Sequence, residues 1–234
     1  MIQPDKTPFA YLVAHRGDRD GGVENTLAAF KQAAAAGARF AECDIQLTRD
    51  LVPVVLHDNW LKRLCARPDI KVMQTDLVEL QAICQPHFDL LTLAELLLWL
   101  QQQPQLTMFI EIKPAMRRRL SAVGIIKLLA ASIPTAQFEQ LVLISQSAEI
   151  IDACKKRLPC RTGWVAESAR QPESAIDYLF MPSKRSSEIA AWHEKSVKVG
   201  LYTVNSPDLA TELMGQHADL VETDNFTRMA AALA

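Results

Sequence analysis

The chain has 234 residues, of which 49% are hydrophobic and 22% charged, and its formal net charge is -2 at pH 7. This balance is typical of a globular protein and excludes a disordered tail. Without an excess of positive charge the chain has no electrostatic footprint for nucleic acid, so we expect no such partner. The length suits one large domain, and we expect residues 1–234 to form a single one.

The N-terminal residues and the cysteines predict a cytoplasmic protein. No basic segment followed by a long apolar run opens the chain, so we expect no secretory signal. No stretch reaches the ~18 uninterrupted apolar residues of a membrane span, so we expect no stable membrane insertion. The 5 cysteines include no C-x-x-C pair, which favours reduced thiols over a disulfide framework or a zinc site.

Short β-rich segments alternate with amphipathic segments along the chain. Predicted strands cover residues 11–16, 40–47, 52–57, 106–113, 141–145, 160–166, 177–181, 198–204 and 219–223. Helical periodicity covers residues 25–37, 91–103, 121–132, 147–158, 186–196 and 206–216. Such alternation implies parallel strands, and about eight repeats favour an α/β fold of the closed (β/α)8 TIM barrel type over an open doubly wound sheet. No G-x-G-x-x-G or Walker sequence follows a strand, which also disfavours the open sheet.

Residues 58–91 interrupt this alternation because they show no clean period. We interpret them as a small insertion after the strand ending at His57. We expect the insertion to pack over one side of the barrel mouth.

The second predicted strand, FAECDIQL at 40–47, places two acids on one face. Alternate residues of a strand point to opposite faces, so Glu42 and Asp44 point one way and Cys43 the other, where we expect it to pack. A carboxylate in an apolar interior must neutralise, pair with a positive side chain or bind a cation. The acids therefore predict a partner inside the barrel.

A third acid, Glu111, stands two residues before Lys113 on the strand at 106–113. If Glu111 converges with the two acids of the second strand, the three form an all-oxygen site suited to Mg²⁺ or Ca²⁺. The alternative is an internal ion pair, for example of Glu42 with Arg16 or Lys113. We favour the metal site, because a divalent cation offsets the repulsion among three anions.

Two histidines, His15 and His57, stand at neighbouring strand ends. They can serve as acid and base near neutral pH, because an imidazole titrates near ~6.5. Arg16 and Lys113 add positive charge beside the predicted metal, and such a cluster is a natural phosphate receptor. Metal, phosphate-binding cations and a histidine pair together predict phosphoester hydrolysis.

Taken in order, these motifs resemble those of the glycerophosphodiester phosphodiesterase family, of the bacterial cytoplasmic type within the PLC-like phosphodiesterase superfamily. The matching segments are HRG (15–17), ENT (24–26), AECDIQLTRD (41–50), VPVVLHD (52–58), TLAELL (92–97), IEIKP (110–114) and LYTVN (201–205). The ordered set is specific although each piece is weak. It implies a (β/α)8 barrel with a small insertion after the second active-site histidine.

Carried over by position, the resemblance implies a role for each candidate residue. Metal ligands would be Glu42, Asp44 and Glu111, the acid and base would be His15 and His57, and phosphate contacts would come from Arg16 and Lys113. Glu24 would brace the site; the alternative is an acid favoured at a helix N-terminus. Tyr202 would form an aromatic wall against glycerol, with core packing as the alternative. Leu51 stands where a turn glycine is common in the family.

The resemblance also implies the reaction, which is metal-dependent hydrolysis of glycerophosphodiesters such as glycerophosphocholine or glycerophosphoethanolamine to sn-glycerol 3-phosphate and an alcohol, in glycerophospholipid degradation. One divalent cation, Mg²⁺ or Ca²⁺, would be the cofactor, and the protein would be a monomer or homodimer. One alternative is a lysophospholipase D-like or sphingomyelinase D-like enzyme, which would need an apolar patch beside the mouth. Another is a non-catalytic barrel that binds a phosphorylated metabolite. Against it, the chain retains all seven residues to which the resemblance gives a metal-binding, acid-base or phosphate-binding role.

Overall fold

The computed structural model describes residues 7–167 and 170–234, and its centre is a ring of parallel strands. These strands are β1 (Leu12–His15), β2 (Phe40–Leu47), β6 (Thr107–Ile112), β7 (Leu141–Ser145), β8 (Arg161–Val165), β9 (Tyr178–Pro182), β10 (Lys198–Tyr202) and β11 (Leu220–Thr223). Neighbours pair in the order β1-β11-β10-β9-β8-β7-β6-β2, and β1 also pairs with β2, which closes the ring. The predicted (β/α)8 barrel is therefore confirmed. Residues 1–6, part of the segment in which no secretory signal is expected, lie outside the described residues.

Helices surround the barrel, and the main apolar core lies between them and the outward faces of the strands. They are α1 (Leu27–Ala35), α2 (Lys62–Cys65), α3 (Leu77–Cys84), α4 (Leu93–Leu100), α5 (Ala122–Ser132), α6 (Ala148–Arg157), α7 (Ile189–His193), α8 (Pro207–Gly215) and α9 (Phe226–Leu233). Short 3-10 helices cover Pro8–Tyr11, Val72–Gln74, Pro114–Arg118, Thr135–Gln140 and Ser183–Glu188. The six predicted helical segments contain α1 and α4 to α8. Among the described residues, no helix has the length and apolar character needed to cross a membrane.

Helix α9 was detectable from the sequence but not predicted. Its buried residues Phe226, Met229 and Ala230 recur at helical spacing. The segment between β8 and β9 contains no helix among its described residues, unlike the other connections between successive barrel strands.

One of the nine predicted strands, the third in chain order at 52–57, is not part of the barrel. The strand that forms there, β3 (Pro53–Val55), pairs antiparallel with the end of β2. It ends at Val55, so the prediction of a strand ending at His57 is wrong by two residues. The carbonyl of His57 accepts a hydrogen bond from the side chain of Gln46 at 2.7 Å instead of continuing the backbone ladder.

The insertion after β3 is a small ordered unit. It contains the hairpin β4 (Trp60–Leu61) and β5 (Arg67–Lys71) together with α2 and α3. Its buried apolar residues pack with two from β3 and the residues after it in a cluster separate from the main core. The cluster is made of Val54, Leu56, Leu61, Cys65, Val72, Leu80, Cys84, Phe88 and Leu90. The elements are only 2 to 8 residues long, which explains why no period is readable in the sequence.

All five cysteines are buried free thiols. Cys43 packs in the main core on the outer face of β2, which confirms its predicted packing role. Leu51 has φ +62°, so this position adopts the left-handed conformation that glycine adopts most easily.

Aromatic side chains fill the middle of the barrel. The ring of Phe109 meets those of Phe180 and Tyr178 edge to face, with centroids 4.9 and 5.1 Å apart. Gly200 on β10 leaves room for this packing, since a Cβ there would lie 2.6 Å from Cδ1 of Phe180. The filled middle confines solvent-accessible chemistry to the barrel ends.

Gly200→Ala is expected to destabilise the fold by about 1–3 kcal/mol, because the added methyl overlaps a ring that is packed on all sides. Urea unfolding followed by tryptophan fluorescence would measure the change. The matched control is Gly215→Ala at the end of α8, where an added Cβ meets nothing within 4 Å. There we expect no loss, or a gain of up to ~1 kcal/mol from better helix propensity. Equal losses in both variants would contradict the packing argument.

Candidate active site

Polar side chains replace the aromatic filling at the carboxyl end of the barrel. On β1 and β2, His15 stands beside Glu42, and on β2 and β6, Asp44 stands beside Glu111. Strand alternation directs these residues inward, above the apolar residues of the same strands. This end is where (β/α)8 barrel enzymes carry their active sites.

The three predicted metal ligands converge. Glu42, Asp44 and Glu111 are buried, and one carboxylate oxygen of each lies within 4.8 Å of the others. Burial, followed by the charge of Asp44, raises the pKa of Glu42 well above its usual value. Burial also raises the pKa of Glu111, although Lys113 opposes the rise. Three oxygen donors that repel one another fit a hard divalent cation, so the cluster could hold a metal ion.

The predicted phosphate-binding cations lie against this cluster. The ammonium of Lys113 is 3.1 Å from Asp44 Oδ1 and 3.0 Å from Glu111 Oε1. The guanidinium Nε of Arg16 is 3.0 Å from Asp44 Oδ2. Burial alone would raise the pKa of Asp44, but the charges of Lys113 and Arg16 lower it below its usual value. Asp44 therefore stays ionised. Ion pairs do form beside the possible metal site, but among the described residues they fall on Asp44 and Glu111 and not on Glu42, the acid named in the alternative.

Both predicted histidines border the same cavity, and each is held by a carboxylate. His15 Nδ1 lies 2.9 Å from Asp224 Oδ1, and His57 Nδ1 lies 2.7 Å from Asp58 Oδ1. The bond with His57 lowers the pKa of Asp58 to about 2, so this carboxylate is charged near neutral pH. Because Nδ1 is engaged, Nε2 is the ring nitrogen left to meet a substrate in each histidine.

The cavity has a volume of about 220 Å³ and two kinds of wall. The polar wall is formed by His15, Arg16, Glu42, His57, Glu111, Lys113 and Glu222. The less polar wall is formed by Ile144, Val165, Phe180 and Tyr202. Tyr202 thus lines the cavity, and its hydroxyl donates a hydrogen bond to Glu167 Oε1 at 3.2 Å. A phosphate with a small polar substituent matches such a cavity in size and in charge.

Glu24 lies beside the cavity and not in the first turn of α1, which begins at Leu27 with Thr26 as its N-cap. Its buried carboxylate accepts a hydrogen bond from Arg16 Nη1 at 3.0 Å. The position matches the predicted brace better than the predicted helix N-terminal acid.

Several residues at this site were not predicted. Asn25 Oδ1 accepts a hydrogen bond from the backbone amide of Asp44 at 3.2 Å, and Asn25 Nδ2 donates one to Asp44 Oδ2 at 3.0 Å. These two bonds fix the carboxylate of Asp44. Glu222 and Asp224 come from the end of β11. The rule that polar residues at strand ends form the site would have found Glu222, because it alternates with buried Val221. Asp224 follows the strand and carries no such signal.

Glu222 is a buried acid that forms no ion pair among the residues that the structure describes, although the charge of Arg16 acts on it. Its Oε1 is buried and has no hydrogen-bond partner among the described residues. Burial, followed by the charge of Glu111, raises the pKa of Glu222 to about 8. The folded protein therefore retains a proton there at pH values where the unfolded chain, with a glutamate pKa near ~4.3, has lost it.

We expect the metal-free protein to lose stability as the pH rises from about 5 to about 8, because the folded state binds more protons than the unfolded state across this interval. Glu222→Gln should flatten this slope, since glutamine needs no proton to stay neutral. Urea unfolding in a chelating buffer at several pH values would measure it. The control Glu188→Gln removes an exposed acid of lowered pKa and should leave the slope in place. Equal slopes in wild type and Glu222→Gln would contradict the assignment.

Comparison with known protein families gives one match over most of the chain. Residues 15–228 match the model of the glycerophosphoryl diester phosphodiesterase family. Among individual proteins, glycerophosphodiester phosphodiesterase 1 of Rattus norvegicus is 53% identical over 51 residues, which are 22% of this chain and 15% of that protein. Glycerophosphodiester phosphodiesterase of Caldanaerobacter subterraneus is 50% identical over 52 residues, 22% of this chain and 21% of that protein. These close matches span less than a quarter of either relative.

Solved structures match over nearly the whole chain. A putative glycerophosphoryl diester phosphodiesterase from Silicibacter pomeroyi superposes with a TM-score of 0.80 at 21% identity, covering 96% of this chain and 94% of that one. A phosphodiesterase from Oleispira antarctica, in complex with the product sn-glycerol-3-phosphate, superposes with a TM-score of 0.79 at 23% identity, covering 95% and 96%. At these identities the likeness establishes a shared fold.

Proposed function

Since the chain belongs to the glycerophosphoryl diester phosphodiesterase family, we propose that it hydrolyses glycerophosphodiesters to sn-glycerol 3-phosphate and an alcohol, as one step of glycerophospholipid degradation. The observation that carries the proposal is the convergence of three carboxylates, two cations and two histidines on one small cavity. The product bound to the Oleispira antarctica phosphodiesterase supports the choice of substrate.

Glu42, Asp44 and Glu111 would hold one divalent cation, Mg²⁺ or Ca²⁺. When bound, such a cation polarises phosphoryl oxygens and offsets negative charge at the reacting phosphate. Lys113 and Arg16 border the same space and would bind the phosphate oxygens, because both remain cationic: the neighbouring carboxylates raise the pKa of each side chain against the effect of burial.

The two histidines would move the protons of the reaction. One Nε2 would take the proton of the attacking oxygen, which belongs to water or to the glycerol 2-hydroxyl, and the other Nε2 would give a proton to the oxygen of the leaving alcohol. After attack by the 2-hydroxyl, water would open the resulting cyclic phosphate to give sn-glycerol 3-phosphate. Asp224 and Asp58 hold the Nδ1 protons and so fix the tautomers that leave Nε2 available. The less polar wall with Phe180 and Tyr202 would receive the glycerol.

We also propose that the protein is cytoplasmic and acts as a monomer or homodimer. The five free thiols suit a reducing compartment. Every residue assigned to the site comes from a single chain, so the proposed site needs no second copy.

A second candidate function is hydrolysis of lysophospholipids, and the exposed ring of Trp60 is the observation that favours it. Trp60 is 42% exposed and lines an open groove that runs from His57 along the insertion. However, the ring carries the ammonium of Lys71 at 4.5 Å from its centroid, and its neighbours in the groove include Lys62 and Arg63. A single aromatic ring among charged side chains offers little surface for an acyl chain.

Trp60→Ala is expected to leave kcat/KM for glycerophosphocholine within about 3-fold of wild type, because no residue of the closed cavity is lost. We further expect wild-type turnover of lysophosphatidylcholine to be slower than that of glycerophosphocholine. Choline release from the two substrates at matched concentrations would measure both. Faster turnover of the lysophospholipid, with its selective loss in Trp60→Ala, would support the second function instead.

The direct test of the proposed function is release of sn-glycerol 3-phosphate from glycerophosphocholine and glycerophosphoethanolamine by the purified chain with Mg²⁺ or Ca²⁺. Tight binding of these diesters without turnover, under all metal conditions, would favour the non-catalytic barrel.

A further inference from the structure

Each of the two aspartates that contact a histidine also forms an ion pair with an arginine. Arg19 Nη1 lies 2.8 Å from the Asp224 oxygen that His15 contacts. Arg63 Nε lies 2.8 Å from Oδ2 of Asp58, whose other oxygen contacts His57. Each histidine therefore belongs to a chain of the type histidine, aspartate, arginine.

Both chains end on the same buried carboxylate. Arg19 Nη2 lies 3.4 Å from Glu24 Oε2, and Arg63 Nη2 lies 2.6 Å from Glu24 Oε1. A second nitrogen of Arg63, Nη1, donates to Glu24 Oε2 at 3.0 Å, so this contact is bidentate. Glu24 thus joins two arms that reach opposite histidines of one cavity.

The arms come from three segments that are far apart in sequence. Glu24 and Arg19 lie in the loop between β1 and α1, Arg63 lies on α2 of the insertion, and Asp224 follows β11. The first loop is tied to the end of β11 by the backbone amide of Arg19, which donates to the carbonyl of Asp224 at 2.8 Å, and Asn205 Nδ2 also donates to Asp224 Oδ2 at 3.0 Å. Side-chain contacts with Glu24 join Arg63 of the insertion to the same loop. A buried carboxylate bonded to several arginines is strongly orienting, because its removal leaves these arginines without their shared counter-charge.

Glu24 remains ionised in this setting. Burial by itself would raise its pKa, but the hydrogen bond from Arg63 and the charges of Arg16, Arg63 and Arg19 lower the pKa below its usual value. Its side chain is 2% exposed, so water contributes little to its neutralisation.

We propose that Glu24 is a positioning residue for both histidines at once: it fixes Arg19 and Arg63, these fix Asp224 and Asp58, and the two aspartates orient His15 and His57. The insertion therefore contributes to the site through Arg63, which holds the aspartate that orients His57. The catalytic consequence rests on the proposed function, whereas the orientation of the two histidines can be measured without a substrate.

The test uses imidazole ¹⁵N resonances of the 234-residue chain in the absence of metal. Glu24→Gln removes the charge and keeps the shape, and we expect the ring resonances of His15 and His57 both to shift. Arg19→Gln should shift His15 alone, and Arg63→Gln should shift His57 alone. His193 is the internal reference. Its Nε2 lies 2.8 Å from Asp219 Oδ2, and neither residue belongs to the network around Glu24.

A shift of only one active-site histidine in Glu24→Gln, or of neither, overturns the proposal. If His193 shifts as well, the variant has loosened generally, and Glu24→Asp decides because it keeps the charge. Recovery of His193 with residual shifts at both His15 and His57 supports the proposal, and any other pattern overturns it.

The kinetic counterpart is a fall of kcat for glycerophosphocholine by about 10-fold or more in Glu24→Gln, with a smaller fall in each arginine variant. Unchanged kcat in Glu24→Gln overturns the catalytic consequence. If Glu24→Gln shifts the resonances of both histidines but the wild-type chain does not hydrolyse the diester, the proposed function is contradicted and the positioning role stays intact.

Discussion

Replacing His15 or His57 by alanine is expected to lower kcat for glycerophosphocholine by about 10²–10⁴-fold, the range of general acid and base catalysis. Each imidazole borders the cavity and is oriented through Nδ1 by its own aspartate. Under the proposed mechanism, loss of either ring removes a proton carrier that the other cannot replace, because acid and base would act on different oxygens of the diester. Release of sn-glycerol 3-phosphate under saturating substrate would measure the fall.

The matched control is His193→Ala. His193 also pairs with an aspartate, Asp219, but it does not line the cavity. Its removal tests the loss of a histidine–aspartate pair without loss of a cavity residue, and we expect kcat within about 2-fold of wild type. Near-normal turnover in both His15→Ala and His57→Ala would contradict the proposed chemistry. Circular dichroism of all three variants separates lost catalysis from lost folding.

Removal of the divalent cation is expected to abolish hydrolysis, and addition of Mg²⁺ or Ca²⁺ should restore it. The physical reason is the buried acidic cluster, in which three carboxylates repel one another unless a cation joins them. A bound cation also stabilises the folded state, by about 2.7 kcal/mol when its concentration is 100-fold above Kd. Activity after dialysis against a chelator, together with thermal unfolding with and without cation, would measure both effects.

Glu111→Gln locates this effect within the cluster. We expect at least a 10²-fold loss of kcat/KM and loss of the cation-dependent stabilisation, while Lys113 keeps its contact with Asp44 at 3.1 Å. Asp69→Asn is the control, because it removes an acid of the insertion whose partner, Arg67, is exposed. That variant should retain both effects. Hydrolysis that persists in the chelator would contradict the metal assignment.

The barrel was predictable because it rests on local signals. Strand β2 forms at Phe40–Leu47 as the sequence indicates, and its period of two places Glu42 and Asp44 inside the barrel with Cys43 outside. A buried acid repeated on one face of a strand has few explanations, so the sequence leads directly to the cluster that the structure contains.

Contacts between distant segments were not predictable. Asp224 is 209 residues from His15, and Arg63 is 39 residues from Glu24. Neither pair has a local pattern, since any surface acid or arginine looks the same in sequence. The end of strand β3 was mispredicted for a similar reason: the strand stops at Val55, the last of its residues paired with distant β2, and nothing local in the sequence marks this point.

The separate apolar cluster of the insertion has an evolutionary consequence. Since its residues pack among themselves and not within the main core, substitutions that reshape the open groove around Trp60 leave the packing of the barrel unchanged. If the proposed function holds, substitutions in this groove are expected to change the preference for the alcohol portion at little cost in stability. Glu24 and Arg63 set the limit of this freedom, because an exchanged insertion must still supply an arginine that reaches the first loop.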